Sequence, residues 1–185
     1  MSRPITSQRP SPPVILPCSR VGTYARALFS SSPGSGVSPW SAGANDLLAF
    51  PFVLEATTTI YKGFACTGSA AGSNFEVGIL DADYNKIVSS GSVSGGAVAS
   101  VPVMADFTDV TLPPGLYYAG MSCDATTTNR WTRWSASITG LFQSAGFWKQ
   151  ASAGPGSFPT TATPADLTNV AFPLFGLITR SVFDV

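Results

Sequence analysis

The stretch FEVGILDA, residues 75–82, decides how the chain is read. Phe75, Val77 and Ile79 fall on one side of an extended segment, with Glu76 and Gly78 on the other, the period-two pattern of a half-buried strand. A helix would need apolar residues three and four apart, and no long segment keeps that spacing. Outward from this stretch, short apolar or alternating runs separated by Gly, Asn, Asp and Pro fill the chain from Leu47 onward. They are residues 47–55, 58–66, 75–82, 86–93, 97–104, 107–112, 116–123, 131–142 and 172–183. In one of them Val110 and Leu112 repeat the alternation, with Asp109 and Thr111 facing away. This is how an antiparallel sheet protein is written. The expected fold is all-β, a jelly-roll-like antiparallel β-sandwich over residues 47–185, preceded by an extended, irregular arm over residues 1–46.

The turns carry their own chemistry. In LPPGLYYAG, residues 112–120, Pro114 is expected to fix φ at the first corner of a tight turn, Gly115 to take the positive φ of the second, and Leu116 to begin the outgoing strand. Tyr117 and Tyr118 then point to opposite faces. In DADYNK, residues 81–86, Asp81, Asp83 and Asn85 alternate like the start of a calcium loop, which also needs a glycine at its sixth position and a bidentate carboxylate at its twelfth. Lys86 and Ser92 stand there instead, so the stretch reads as a hairpin turn whose Asx side chains satisfy backbone donors. Asp106 and Asp109, three apart in a strand, are expected on opposite faces and not as an acid/base pair.

Composition limits function. The 185-residue chain carries 11% charged residues, against roughly 25% in ordinary soluble domains. So sparse a charged surface fits burial in an assembly, and the expected state is a homo-oligomer, with a trimer favoured. A net charge of +0 provides no field toward nucleic acid or an anionic membrane. The sequence holds no histidine, which removes the usual general base and any Ser-His or Cys-His pair, so no enzyme is expected. A hydrolase would need an all-carboxylate site, and nothing in the sequence arranges one. Cys18, Cys66 and Cys123 are odd in number and far apart, indicating neither a disulfide framework nor a zinc site; no cofactor or metal is expected. No apolar run at the amino end has the length of a signal peptide and none elsewhere that of a membrane span, so a chain made in the cytoplasm without membrane insertion is expected.

The first 46 residues are dense in Pro, Ser and Gly, and prolines at this density break helix and sheet alike. Such a segment orders only by packing on another surface. Val14, Ile15 and Leu16, with Leu28 and Phe29, supply apolar anchors; Arg3, Arg9, Arg20 and Arg26 all precede the first acidic residue, Asp46. The arm therefore reads as an attachment device. The other surface candidate is NRWTRWS, residues 129–135, where Trp131 and Arg133 share one face of a strand and Trp134 takes the other. Trp and Arg lead among interface hot spots, which makes these residues a subunit contact; indole faces and guanidinium forks also suit a glycan.

Two stretches, GILDADYNKIVSSG (78–91) and FTDVTLPPGLYYAGMSCD (107–124), resemble a pattern found in β-sandwich virion proteins of tailed bacteriophages: tail, fibre-associated and capsid-surface proteins. A strand there ends in a G-I-Y/L-D-x-D-like turn, a Ser/Gly-rich hairpin follows, and a later strand carries L-x-P-G-x-Y-Y/W. Tyr84 departs from the pattern, standing where a turn glycine is common. The resemblance implies a structural component of the virion, with other virion proteins as partners. The alternative is a carbohydrate-binding module that contacts host surface glycan.

Overall fold

The computed structural model describes residues 45–66, 73–95, 101–124, 148–165 and 175–179. Among them are nine strands and no helix. They are β1 (Leu47–Leu54), β2 (Thr58–Cys66), β3 (Asn74–Leu80), β4 (Lys86–Ser89), β5 (Val93–Ser94), β6 (Pro102–Leu112), β7 (Gly115–Cys123), β8 (Trp148–Gln150) and β9 (Phe175–Thr179). One sheet runs β4-β3-β7-β1-β8, with β5 also on β3; the other runs β6-β2-β9, and all pairs are antiparallel. β1, β2 and β3 pair in reverse order with β7, β6 and β5, so the chain is a long antiparallel ribbon rolled onto itself. That rolling is the logic of a jelly-roll-like sandwich.

The two sheets meet over Leu48, Phe50 and Phe52 of β1, Phe75, Val77 and Ile79 of β3, and Tyr117, Ala119 and Met121 of β7. Ile60, Ala65, Phe107, Leu112, Phe175 and Leu177 face them from the smaller sheet. Phe50 and Phe175 touch across the layer at 4.9 Å between ring centroids. The layer is thinnest at Gly63: a Cβ there would lie 2.6 Å from Val77 Cγ1, so a side chain at this position would push the sheets apart.

Several sequence expectations need correction. The Pro-Pro-Gly stretch makes no hairpin: β6 and β7 belong to different sheets, and Pro113 and Pro114 carry the chain across the edge of the sandwich. A crossing of this kind has no ladder to feed, so two residues without backbone donors cost nothing there. Gly115 is the first residue of β7 and is not among the glycines with positive φ, which are Gly91 and Gly156. Tyr117 closes the crossing by donating its hydroxyl to the Pro113 carbonyl at 2.9 Å.

Asp106 and Asp109 lie exposed on the same face, not on opposite faces. The register steps from Ile60↔Val110 to Lys62↔Asp106, a bulge in β6 that moves the core-facing position from Phe107 to Val110 and turns both carboxylates outward. Residues 97–104 and 107–112 are not two strands: the described part, from Pro102, is one strand, because Ala105 and Asp106 pair with Gly63 and Lys62. Conversely, residues 86–93 split into β4 and β5. Gly91, at φ 66, bends the chain, and the Ser90 hydroxyl takes the Val77 N–H at 3.1 Å in place of a ladder carbonyl. The expected strand over residues 131–142 lies outside the described residues.

Candidate functional site

The outward face of the larger sheet is the part of the molecule that alternation does not explain. Antiparallel register places its outward residues in rows: Gln150, Leu47, Ser122 and Glu76; then Trp148, Ala49, Gly120 and Gly78; then Pro51, Tyr118 and Leu80; and finally Val53 with Leu116. On a solvated sheet these positions would be exposed. Here the first three rows are mostly buried, and only the fourth is bare. β3, expected to be half-buried, is buried on both faces from Phe75 to Leu80, including Glu76 at 2% exposure.

The cover is the Pro/Gly/Thr stretch that follows β8. It forms an Ω-shaped strap over residues 148–165 whose base is closed by Lys149 and Ala165, each donating its amide to the other's carbonyl, at 3.0 and 2.8 Å. Ala153, Phe158 and Ala162 descend from it to pack on Leu47, Ala49, Leu80 and Tyr118. The second row makes this fit specific. Gly78 and Gly120 are cross-strand partners, and a Cβ on either would meet the Phe158 ring at 2.8 or 3.0 Å. With Ala49 beside them they leave a shallow trough in which the ring lies. Burying one such side chain is worth about 2 kcal/mol.

Polar contacts fix the strap at several points. Gly156 donates its amide to Glu76 Oε2 at 2.6 Å, Ala153 donates to the Asn45 carbonyl at 2.5 Å, and Lys86 donates its amide to the Thr160 carbonyl at 2.8 Å. Ala162 donates to the Tyr84 carbonyl at 2.8 Å, and the Thr161 hydroxyl donates to Asn85 Oδ1 at 3.0 Å. The receiving turn is the DADYNK stretch. Asp81 Oδ1 accepts the amides of Asp83 and Asn85 at 2.9 Å each, and Oδ2 accepts Asn85 Nδ2 at 3.2 Å. These bonds, the Asn85 amide first, hold the Asp81 carboxyl below its ordinary value. The Asx turn expected from sequence is therefore present, and its carboxylate serves its own backbone.

Tyr84 sits in this turn at φ 65, a left-handed conformation that normally calls for glycine. Its ring stands 5.1 Å from that of Tyr118 and 5.6 Å from that of Trp148, joining strap foot, turn and sheet in one aromatic cluster. Burial, with Tyr84 alongside, pushes the Tyr118 hydroxyl up to about 12. Among the described residues, the other two non-glycine residues with positive φ are Asn45 and Ser152. All three lie where the strap meets the sheet; asparagine tolerates this conformation, whereas Tyr84 and Ser152 each bear roughly 1–2 kcal/mol of backbone strain. Two buried polar atoms without a partner, Ser122 Oγ and Trp148 Nε1, lie on the same face. The strap is thus held by packing and hydrogen bonds against an opposing load of strain and unmet polar groups.

Beyond the strap, Val53 and Leu116 are cross-strand neighbours exposed at 48% and 41%. Pro113 and Pro114 and the β1–β2 connection at 55–57 adjoin them, all exposed, and Glu55 is the one charge. Among the described residues no group of three His, Cys, Asp or Glu is placed to hold a metal ion, and no helix is long and apolar enough to cross a membrane. Cys66 is a free thiol, and burial pushes it up to about 11.

Of the residues singled out in the sequence, Pro114 and Gly115 lie at the crossing beside this apolar end. The arm residues Arg3, Arg9, Val14, Ile15, Leu16, Arg20, Arg26, Leu28 and Phe29 lie outside the described residues, as do Trp131, Arg133, Trp134 and Cys18. The sequence reading missed Phe158 and the Gly78–Gly120 trough. The available signal was a lone phenylalanine in a Pro/Gly/Thr loop, which needs a place to bury, and small residues at outward strand positions, which provide one. Comparison with known protein families, curated proteins and solved structures finds no match to this chain.

Proposed function

We propose that this chain is a structural subunit of a tailed-phage particle, a β-sandwich presented on tail, fibre or capsid surface and attached through its amino-terminal arm to other virion proteins. The observation that carries the reading is that the two stretches resembling phage virion sandwiches form one unit. Gly78 pairs with Gly120, the 81–85 turn puts Tyr84 against Tyr118, and Pro113–Pro114 leads into the same strand. Low charge and the bare apolar end at Val53 and Leu116 agree with a chain that works in contact with neighbours, as a homo-oligomer with a trimer favoured.

The test is a deletion of residues 1–44. Asn45 is kept because its amide bonds the Cys123 carbonyl and its own carbonyl receives the strap. The truncated chain should remain folded and β-rich by circular dichroism yet no longer co-sediment with particles. Replacing Arg3, Arg9, Arg20 and Arg26 by serine should weaken joining in a salt-dependent way. Full decoration by the truncated chain would move the attachment surface to the sandwich, and a monodisperse monomer by light scattering would remove the oligomer. Binding to a host glycan array that is lost on substituting Trp131 and Trp134 would favour receptor recognition instead.

A further inference from the structure

We propose that the strap, residues 151–164, is a latch that opens as a unit while the sandwich stays folded, lifting Phe158 from the Gly78–Gly120 trough. Three observations converge on it. Its base is closed independently by the reciprocal Lys149–Ala165 hydrogen bonds, so it can leave the sheet without unthreading β8 from β1. Two of the three described non-glycine residues with positive φ, Asn45 and Ser152, sit at its docking contacts, Asn45 giving its carbonyl to the Ala153 amide, so opening frees the backbone there to relax. Ser122 Oγ lies under it and Trp148 Nε1 at its foot, and both gain water when it lifts. Against these stand the burial of Phe158, Ala153 and Ala162 on their apolar floor and a set of hydrogen bonds that water can replace. The pairings of β3 with β7 and β7 with β1 carry no such load, so the sheet outlasts the strap. Opening exposes an apolar floor of Leu47, Ala49, Leu80 and Tyr118 that the closed latch keeps from other chains.

Hydrogen exchange on the full chain tests this. The amides of Gly156, Ala162 and Thr163, which bond Glu76, Tyr84 and Gln150, should exchange together, at least about 100-fold faster than those of β3 and β7. Lys86 is the sharpest reporter. It lies in β4, but its amide bonds the Thr160 carbonyl, so it should exchange with the strap and not with the sheet. Phe158→Ala should speed the strap set a further roughly tenfold or more, and β3 and β7 by no more than the fall in global stability, so that the strap set still exchanges well ahead of them. Strap amides that exchange at the rate of β3 and β7 would overturn the proposal, because the strap would then open only when the protein unfolds. Unrelated rates within the set would also overturn it, since they mean piecemeal fraying. Should Phe158→Ala fail to fold, exchange in the native chain decides alone.

Discussion

The two faces of the larger sheet are built from the same strands and buried by different means. Its inner face meets the second sheet through Phe50, Phe75, Val77 and Met121, large side chains that interdigitate across the layer. Its outer face is floored by small residues, Ala49, Gly78 and Gly120, and closed by a strap that inserts one ring. On the inner face the strands supply the bulk; on the outer face they supply the space. The difference teaches that small residues at the centre of a sheet face, here flanked by Leu47, Leu80 and Tyr118, can mark a buried site, provided something outside the sheet brings the side chain. It also predicts unequal consequences when each face is damaged.

The inner face should suffer most. Phe75→Ala leaves a void between two sheets that cannot close around it, costing about 3–5 kcal/mol in denaturant unfolding. On the outer face, Phe158→Ala should cost about 2 kcal/mol, the transfer term alone, because the strap can settle into the trough. Equal losses from the two variants would show that strap and sandwich form one cooperative core. Gly120→Ala asks the complementary question. Its methyl would meet Leu47 Cδ1 at 2.9 Å and the Phe158 ring at 3.0 Å, so it should destabilise by about 1–2 kcal/mol. Combined with Phe158→Ala it should cost less than the sum, since the ring it strikes is gone.

Smaller effects follow from titration at the strap's two ends. Tyr118, raised from 10.0 to about 12, favours the folded state while it stays neutral. Its contribution is complete below pH 10 and disappears as pH rises toward 12. Tyr118→Phe should lack that part of the alkaline stability loss when melting temperatures are compared across the window. Asp81, held below 3.8, acts with the opposite sign: its contribution is present above pH 3.8 and lost as pH falls through its lower folded value. Asp81→Asn should show a flatter acid limb. This effect is the smallest because the turn is solvated. An acid limb unchanged by the substitution would mean that the turn's hydrogen bonds do not help hold the dock for the strap.

How much of this was legible depends on how local each cause is. FEVGILDA announced β3 and its inner residues, because alternation is a property of neighbouring positions. The Asp81 turn was legible for the same reason, its carboxylate bonding amides two and four residues on. The Asp106–Asp109 relation was not, because the bulge that sets it comes from pairing with β2, about fifty residues earlier along the chain. Gly115 was misread because it already pairs with Leu54 as the first residue of β7, and a crossing between different sheets asks for no positive φ there.

The sequence by itself determined that this protein would be built of strands, where most of those strands lie, that Phe75, Val77 and Ile79 face the common core, and that Asp81 would spend its carboxylate on its own turn. Each of these follows from the pleat or from hydrogen bonds spanning a few residues. Only the tertiary structure decided that the outer face would be buried, that Glu76 would go under with it, and that the Tyr84 ring would take its place against Tyr118 and Trp148. Those outcomes rest on contacts between Gly78, Gly120 and Phe158, segments some forty residues apart. No local pattern encodes which loop will fall on which face, because that is settled by the shape left between side chains once the sheets have formed.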